Sequence, residues 1–198
     1  MTMNGTQFRT GDITPQDALL IIDMQNDFMP GGALPVPDGP ALLPVINQLS
    51  RAGFRAVIAS QDWHPAGHCS FREQGGLWPI HCLAGSHGAA LLDGLDQAHV
   101  THVIRKGLAP TADSNSAFYD DAGTATGLTS LLQGLGIRRV FLCGVALEVC
   151  VLATARHAVR DGFETFIIRN ATAGIKSPSA SLTGQAEHIA FPEFREAP

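Results

Sequence analysis

Residues 139–169 read RVFLCGVALEVCVLATARHAVRDGFETFIIR, and this stretch decides the fold. It opens and closes on apolar runs, 139–144 and 164–169, that are of strand length and do not alternate with polar residues. Such runs suit parallel strands covered on both faces. Between them, residues 148–160 carry Val151, Leu152, Ala155 and Val159 at helical spacing, and Asp161-Gly162 supplies a stop. Strand, helix and strand in that order predict a parallel β-α-β unit with a right-handed crossover.

The pattern extends outward on both sides. Runs at 18–23 (ALLIID), 55–60 (RAVIAS) and 100–105 (VTHVIR) predict three more strands, and a weaker sixth falls near 187–191. Helical spacing recurs at 40–52, with Leu42, Leu43, Ile46 and Leu49 on one face, and at 127–134, with Gly136 as a stop. Alternating strands and helices predict an α/β fold, a three-layer doubly wound, mostly parallel six-stranded sheet flanked by helices. No repeat, low-complexity tract or linker interrupts the chain, so residues 1–198 read as a single domain.

Composition narrows the function. The chain is 45% hydrophobic and 16% charged, with a formal net charge of −5 and no long basic run, which argues against nucleic acid and anionic membranes as partners. Residues 1–16 are polar, without an apolar stretch of signal-peptide length, and no apolar run reaches membrane-spanning length. The expectation is a cytoplasmic protein acting on a small molecule, with homo-oligomerisation left open. The four cysteines, Cys69, Cys82, Cys143 and Cys150, show no paired spacing and read as free thiols.

In open α/β sheets ligands bind beyond the carboxyl ends of the strands. Polar residues stand at four such ends: Asp23, Asp62-Trp63-His64, Arg105-Lys106, and the turn leading to Cys150 at a helix start. The loops that follow, 28–39, 62–83 and 106–126, are long and rich in Gly and Pro. A thiol in the opening turn of a helix feels the positive end of the dipole and nearby N–H groups, both of which favour thiolate. Alone, Cys150 would read as a small buried apolar residue. With Asp23 to take a proton and Lys106 to add positive charge, it reads as the nucleophile of an acyl-transfer site.

Asp62 and His64 are two apart on an extended segment and point the same way, and His81 lies in the same loop. One carboxylate and two imidazoles suit one divalent ion, Zn, Fe or Mn. An isolated Asp-x-His is often incidental, and His68 and His87 are nearby spares. Phe28, Trp63, Phe71 and Trp78 all fall in these loops. Their rings wall a planar heteroaromatic substrate or simply cover the loops.

At IIDMQNDFMPGGAL (21–34), ASQDWHPAGHCSF (59–71), WPIHCLAGSHGA (78–89), IRKGLAPTADSNSAF (104–118) and CGVALEVCVLATARHAVRDGF (143–163), the chain resembles the nicotinamidase branch of the isochorismatase-like cysteine hydrolases. The resemblance implies Asp23, Lys106 and Cys150 as a catalytic triad, and Asp62, His64 and His81 as metal ligands. It implies Phe28 and Trp78 against the pyridine ring, a cis bond at Val145–Ala146 with both residues at the substrate, and the N–H groups of Ala146 and Cys150 at the oxyanion. Many members read Ala-Thr-Asp-Tyr-Cys where this chain has Ala146-Leu147-Glu148-Val149-Cys150, and fungal-type members carry a similar Ala-Leu-Glu. Asn115 stands where a Tyr is often found, and the tail from Ser177 matches poorly.

The implied activity is deamidation of nicotinamide to nicotinate and ammonia in NAD salvage, with pyrazinamide as a second substrate. Hydrolysis of another small amide (a carbamoyl compound, biuret or maleamate) keeps the triad, but many such relatives lack the metal set. A non-catalytic binding module with a structural cysteine would leave Asp23, Lys106 and Cys150 together without purpose.

Overall fold

The structure is a computed structural model that describes residues 10–175 and the backbone of 187–189. Six strands form one sheet: β1 (Asp17–Ile22), β2 (Ala56–Asp62), β3 (His102–Lys106), β4 (Arg139–Gly144), β5 (Glu164–Thr172) and β6 (Glu187–Ile189). Their order is β3-β2-β1-β4-β5-β6, and every pairing is parallel. The order reverses between β1 and β4, which places a crevice beyond their carboxyl ends. Apart from residues 187–189, which form β6 near the predicted sixth strand, the poorly matching tail from Ser177 lies outside the described residues.

Side chains alternate across the sheet, and both faces are covered. Leu19, Ile21, Val57, Ala59, Phe141 and Ile168 pack on one face with Ile46 and Leu49 of α1 (Leu43–Ser50). Ala18, Leu20, Ile22, Ile58, Leu142 and Ile167 pack on the other with α2 (Leu128–Gly134) and α3 (Leu152–Arg160). The expectation of double-sided burial fails at β3. As an edge strand it alternates, and Val103 and Arg105 are exposed.

Two helices differ from their predicted form. The 40–52 segment begins as a 3-10 turn, Gly39–Leu42, before α1. The 148–160 segment opens with a π-helical turn, Leu147–Val151, and continues as α3. Its buried face runs through Val151, Thr154, Ala155 and Ala158, and Leu152 and Val159 are half-buried. Thr154 belongs inside because its Oγ1 accepts the Ala117 N–H, tying the 106–126 loop to α3. Among the described residues no helix is long and apolar enough to cross a membrane.

Candidate active site

β1 ends abruptly. Asp23 follows it with a positive φ of 49°, a conformation Asp tolerates better than most residues. The turn leaves the Asp23 side chain completely buried. Its Oδ1 accepts the Ser60 hydroxyl at 2.6 Å, whereas Oδ2 lies 2.9 Å from Lys106 Nζ and accepts no hydrogen bond. Lys106 comes from the last position of β3, and Cys150 from the π-helical turn after β4. Lys106 Nζ donates to Cys150 Sγ at 3.6 Å, to the Ser114 carbonyl at 3.0 Å and to Asp62 Oδ1 at 2.5 Å. One buried ammonium thus contacts Asp23, Asp62 and Cys150 together.

The electrostatics follow from burial and that shared cation. Burial raises the Asp23 carboxyl above its ordinary range, with Lys106 opposing. Burial likewise pushes the Cys150 thiol well up, again against Lys106. For Lys106 burial disfavours the charge, but Asp23, Asp62 and Cys150 outweigh it and hold the ammonium well above the ordinary lysine value. Burial also works against ionised Asp62, but Lys106 outweighs it and holds the carboxyl well below its usual range. A carboxylate raised in this way beside a thiol suits a group that takes a proton and later returns it.

Asp62, His64 and His81 are all buried, and their donor atoms fall within 4.8 Å of one another. Each imidazole donates Nδ1–H to a backbone carbonyl, His64 to Gly107 at 3.1 Å and His81 to Pro79 at 2.8 Å. That leaves both Nε2 lone pairs facing Asp62 Oδ2, at 3.7 and 4.0 Å. Carbonyl-fixed tautomers are the usual outer support of metal-binding histidines, so this donor set fits a divalent ion. His68 does not present a free lone pair. Its Nε2 meets the Ala112 carbonyl, and its Nδ1 accepts from the Ser70 N–H and meets the Ser70 hydroxyl, while its ring stacks on His64.

Gly107 has a φ of 66°, and a Cβ there would lie 2.4 Å from His64 Cε1. Gly107→Ala is therefore expected to displace the ring, to cost about 1–3 kcal/mol of stability, and to strip metal from the purified protein. Denaturation and metal analysis on one sample check this, and retained metal would mean that the ring is held some other way.

Cys150, Asp62 and His81 open onto a cleft walled by Phe28, Trp78, Leu34, Val36 and Val149. Asp113 and Asn115 add polar groups to the lining. Phe28 sits against His81 with ring centroids 5.9 Å apart. The other two loop aromatics are elsewhere: Trp63 lies under the Arg105 guanidinium, and Phe71 packs among the rings of His64, His68 and His81. Val145–Ala146 is a cis peptide; Ala146 lines the cleft and Val145 is buried behind it. Sequence reasoning missed Ser60, the Ser114 carbonyl and the contact between Asp62 and Lys106.

The isochorismatase domain model matches residues 17–185. A nicotinamidase from Escherichia coli is 38% identical over 180 residues, covering 81% of this chain and 84% of that one. Two solved structures are similar. One is an L. infantum protein in complex with nicotinate (48% identity, TM-score 0.81, 83% and 85% of the two chains covered). The other is a Pyrococcus horikoshii pyrazinamidase in complex with zinc (43% identity, TM-score 0.74, 82% and 89% covered).

Proposed function

Because this chain belongs to the isochorismatase family, we propose that its cleft deamidates nicotinamide to nicotinate and ammonia, a step of NAD salvage. One observation carries the reading: a thiol, a carboxylate and a shared ammonium meet a buried Asp-His-His donor set in a single aromatic-walled cleft. Asp23 Oδ2 takes the thiol proton from Cys150, and the sulfur attacks the carboxamide carbon. The oxyanion is received by the N–H groups of Ala146 and Cys150 at the helix start. Asp23 returns the proton to the departing ammonia, leaving a thioester. Water, deprotonated by Asp23, then releases nicotinate.

Phe28 and Trp78 hold the flat ring, and Asp62, His64 and His81 would hold one divalent ion. When bound, such an ion supplies a Lewis-acidic contact for a heterocyclic nitrogen. Zinc is the metal we favour, since two imidazoles and a carboxylate suit it and a zinc complex exists in the P. horikoshii relative. The four free thiols suit a reducing, cytoplasmic setting. Carbamoyl compounds, biuret and maleamate lack a ring for the aromatic walls.

The test is ammonia release from a panel of nicotinamide, pyrazinamide, biuret and maleamate, with metal measured on the same sample. We expect turnover of the two heteroaromatic amides and about one ion per chain. His64→Ala and His81→Ala are expected to lose that ion and most of the activity. Metal retained in both variants would overturn the ligand assignment, and turnover of biuret or maleamate alone would overturn the substrate.

A further inference from the structure

Gln25 is completely buried, three residues from the end of β1, and the reaction sequence above gives it no part. Its side-chain amide is fully engaged. Oε1 accepts the Asp62 N–H at 2.8 Å, and Nε2 donates to the Asp62 carbonyl and to the Ala89 carbonyl, each at 2.8 Å. The amide has only one workable orientation, because a flip would set NH₂ against N–H and oxygen against two carbonyls.

The position of these bonds gives them a purpose. β2 runs on to Asp62, but its ladder with β1 ends at the pair Ile21↔Ala59, and β1 turns away at Asp23. At the level of Asp62 the neighbouring strand is therefore gone on one side. On the other side, β3 pairs Lys106 with Asp62. The Gln25 amide supplies the missing edge, bonding to both backbone groups of Asp62 as a strand would. Its third bond reaches the segment beyond His81, where Gln61 Nε2 also donates to the Ala89 carbonyl.

We propose that Gln25 is a positioning residue for Asp62, fixing the carboxylate so that Oδ1 meets Lys106 while Oδ2 faces the two imidazoles. The inference rests on the reading of Asp62, His64 and His81 as metal ligands. A side chain that merely filled space would leave ion affinity unchanged on replacement by one of similar volume. A positioning side chain would not, and loss of such outer support weakens metal binding by about 10- to 100-fold.

The experiment titrates Zn²⁺ into metal-stripped full-length protein against a chromophoric chelator. Gln25→Met, which keeps volume and removes all three bonds, is expected to weaken zinc binding by about 10- to 100-fold. Gln25→Asn serves should methionine not be tolerated. It keeps a neutral amide but withdraws it by one methylene from all three partners, and is expected to weaken zinc binding at least tenfold. Val140→Ala, a cavity in β4 away from the cleft, controls for general loosening, and His81→Ala controls for the site itself. Zinc affinity of the Gln25 variants within twofold of the parent, with His81→Ala defective, would overturn the inference alone. An equal loss in Val140→Ala would also overturn it. Unchanged affinity in His81→Ala would overturn the metal assignment beneath it.

Discussion

Cys150→Ala is expected to lower ammonia release from nicotinamide by about 10⁴-fold or more, the scale of losing a covalent nucleophile. In the proposed reaction the sulfur is the atom that attacks the amide. It lies 3.6 Å from the Lys106 ammonium, and its donor atom falls within 4.8 Å of those of Asp23 and Asp62. The fold should survive, because removing one sulfur beside an open cleft costs about 1 kcal/mol. The other three thiols lack this setting. Cys143 is wholly buried in β4, its thiol raised by burial and donated to the Leu20 carbonyl. Cys82 is raised by burial and then by the charges of Asp62, Asp23 and Asp27. Cys69 is raised in the same sense by burial and by Asp113. Alanine at each of these three positions should therefore leave turnover near the parent's. Substantial turnover in Cys150→Ala, or loss confined to another cysteine, would sink the thioester route.

The contrast among the cysteines shows what a sequence can convey here. The β-α-β stretch at 139–169 was legible because continuous apolar runs and a helical stripe have few other readings, and β4 spans the predicted residues 139–144. The strand ends were legible too, since Asp23, Asp62, Lys106 and Cys150 each interrupt an apolar pattern at the place where α/β sheets bind ligands. What escaped was whatever depends on pairing between strands. Ser60 lies within β2, and nothing local marks its hydroxyl as a donor to Asp23. Gln25 reads as a polar loop residue until the early end of β1 exposes the backbone of Asp62 to it. Thr154 broke the predicted apolar face of α3 because its partner, Ala117, is distant in sequence. Asp62 was assigned to the ion and Lys106 to the thiol, yet the β2–β3 register sets them side by side.

That shared register gives Lys106 a larger task than partnering one base, and Lys106→Met is expected to lower turnover by about 100-fold or more, or about 2.7 kcal/mol at the barrier. The ammonium lies 2.9 Å from Asp23 Oδ2 and 3.6 Å from Cys150 Sγ. When the thiol proton moves to Asp23, negative charge moves from one of these atoms to the other. At an effective dielectric near 20 the two attractions to Lys106 differ by about 1 kcal/mol, so the cation supports reactant and product of the transfer almost equally. Methionine removes that support from both and leaves Asp23 and Asp62 buried against each other. The direction of the pH effect follows. Burial already raises the Asp23 carboxyl, Lys106 is the main force lowering it, and the charge of Asp62 raises it further. Without the cation Asp23 gains its proton at higher pH, so the acid limb of the pH–rate profile should move upward and a larger share of the enzyme should be idle near neutrality. Lys106→Arg should recover little, because a planar fork cannot aim one donor set at Asp23, Asp62, Cys150 and the Ser114 carbonyl within a fully enclosed site. The measurement is kcat against pH for Lys106→Met, Lys106→Arg and the parent, with zinc content checked in each because Asp62 is shared. A profile and turnover close to the parent's in Lys106→Met would remove the ammonium from the reaction and leave proton transfer to Asp23 and Cys150 alone.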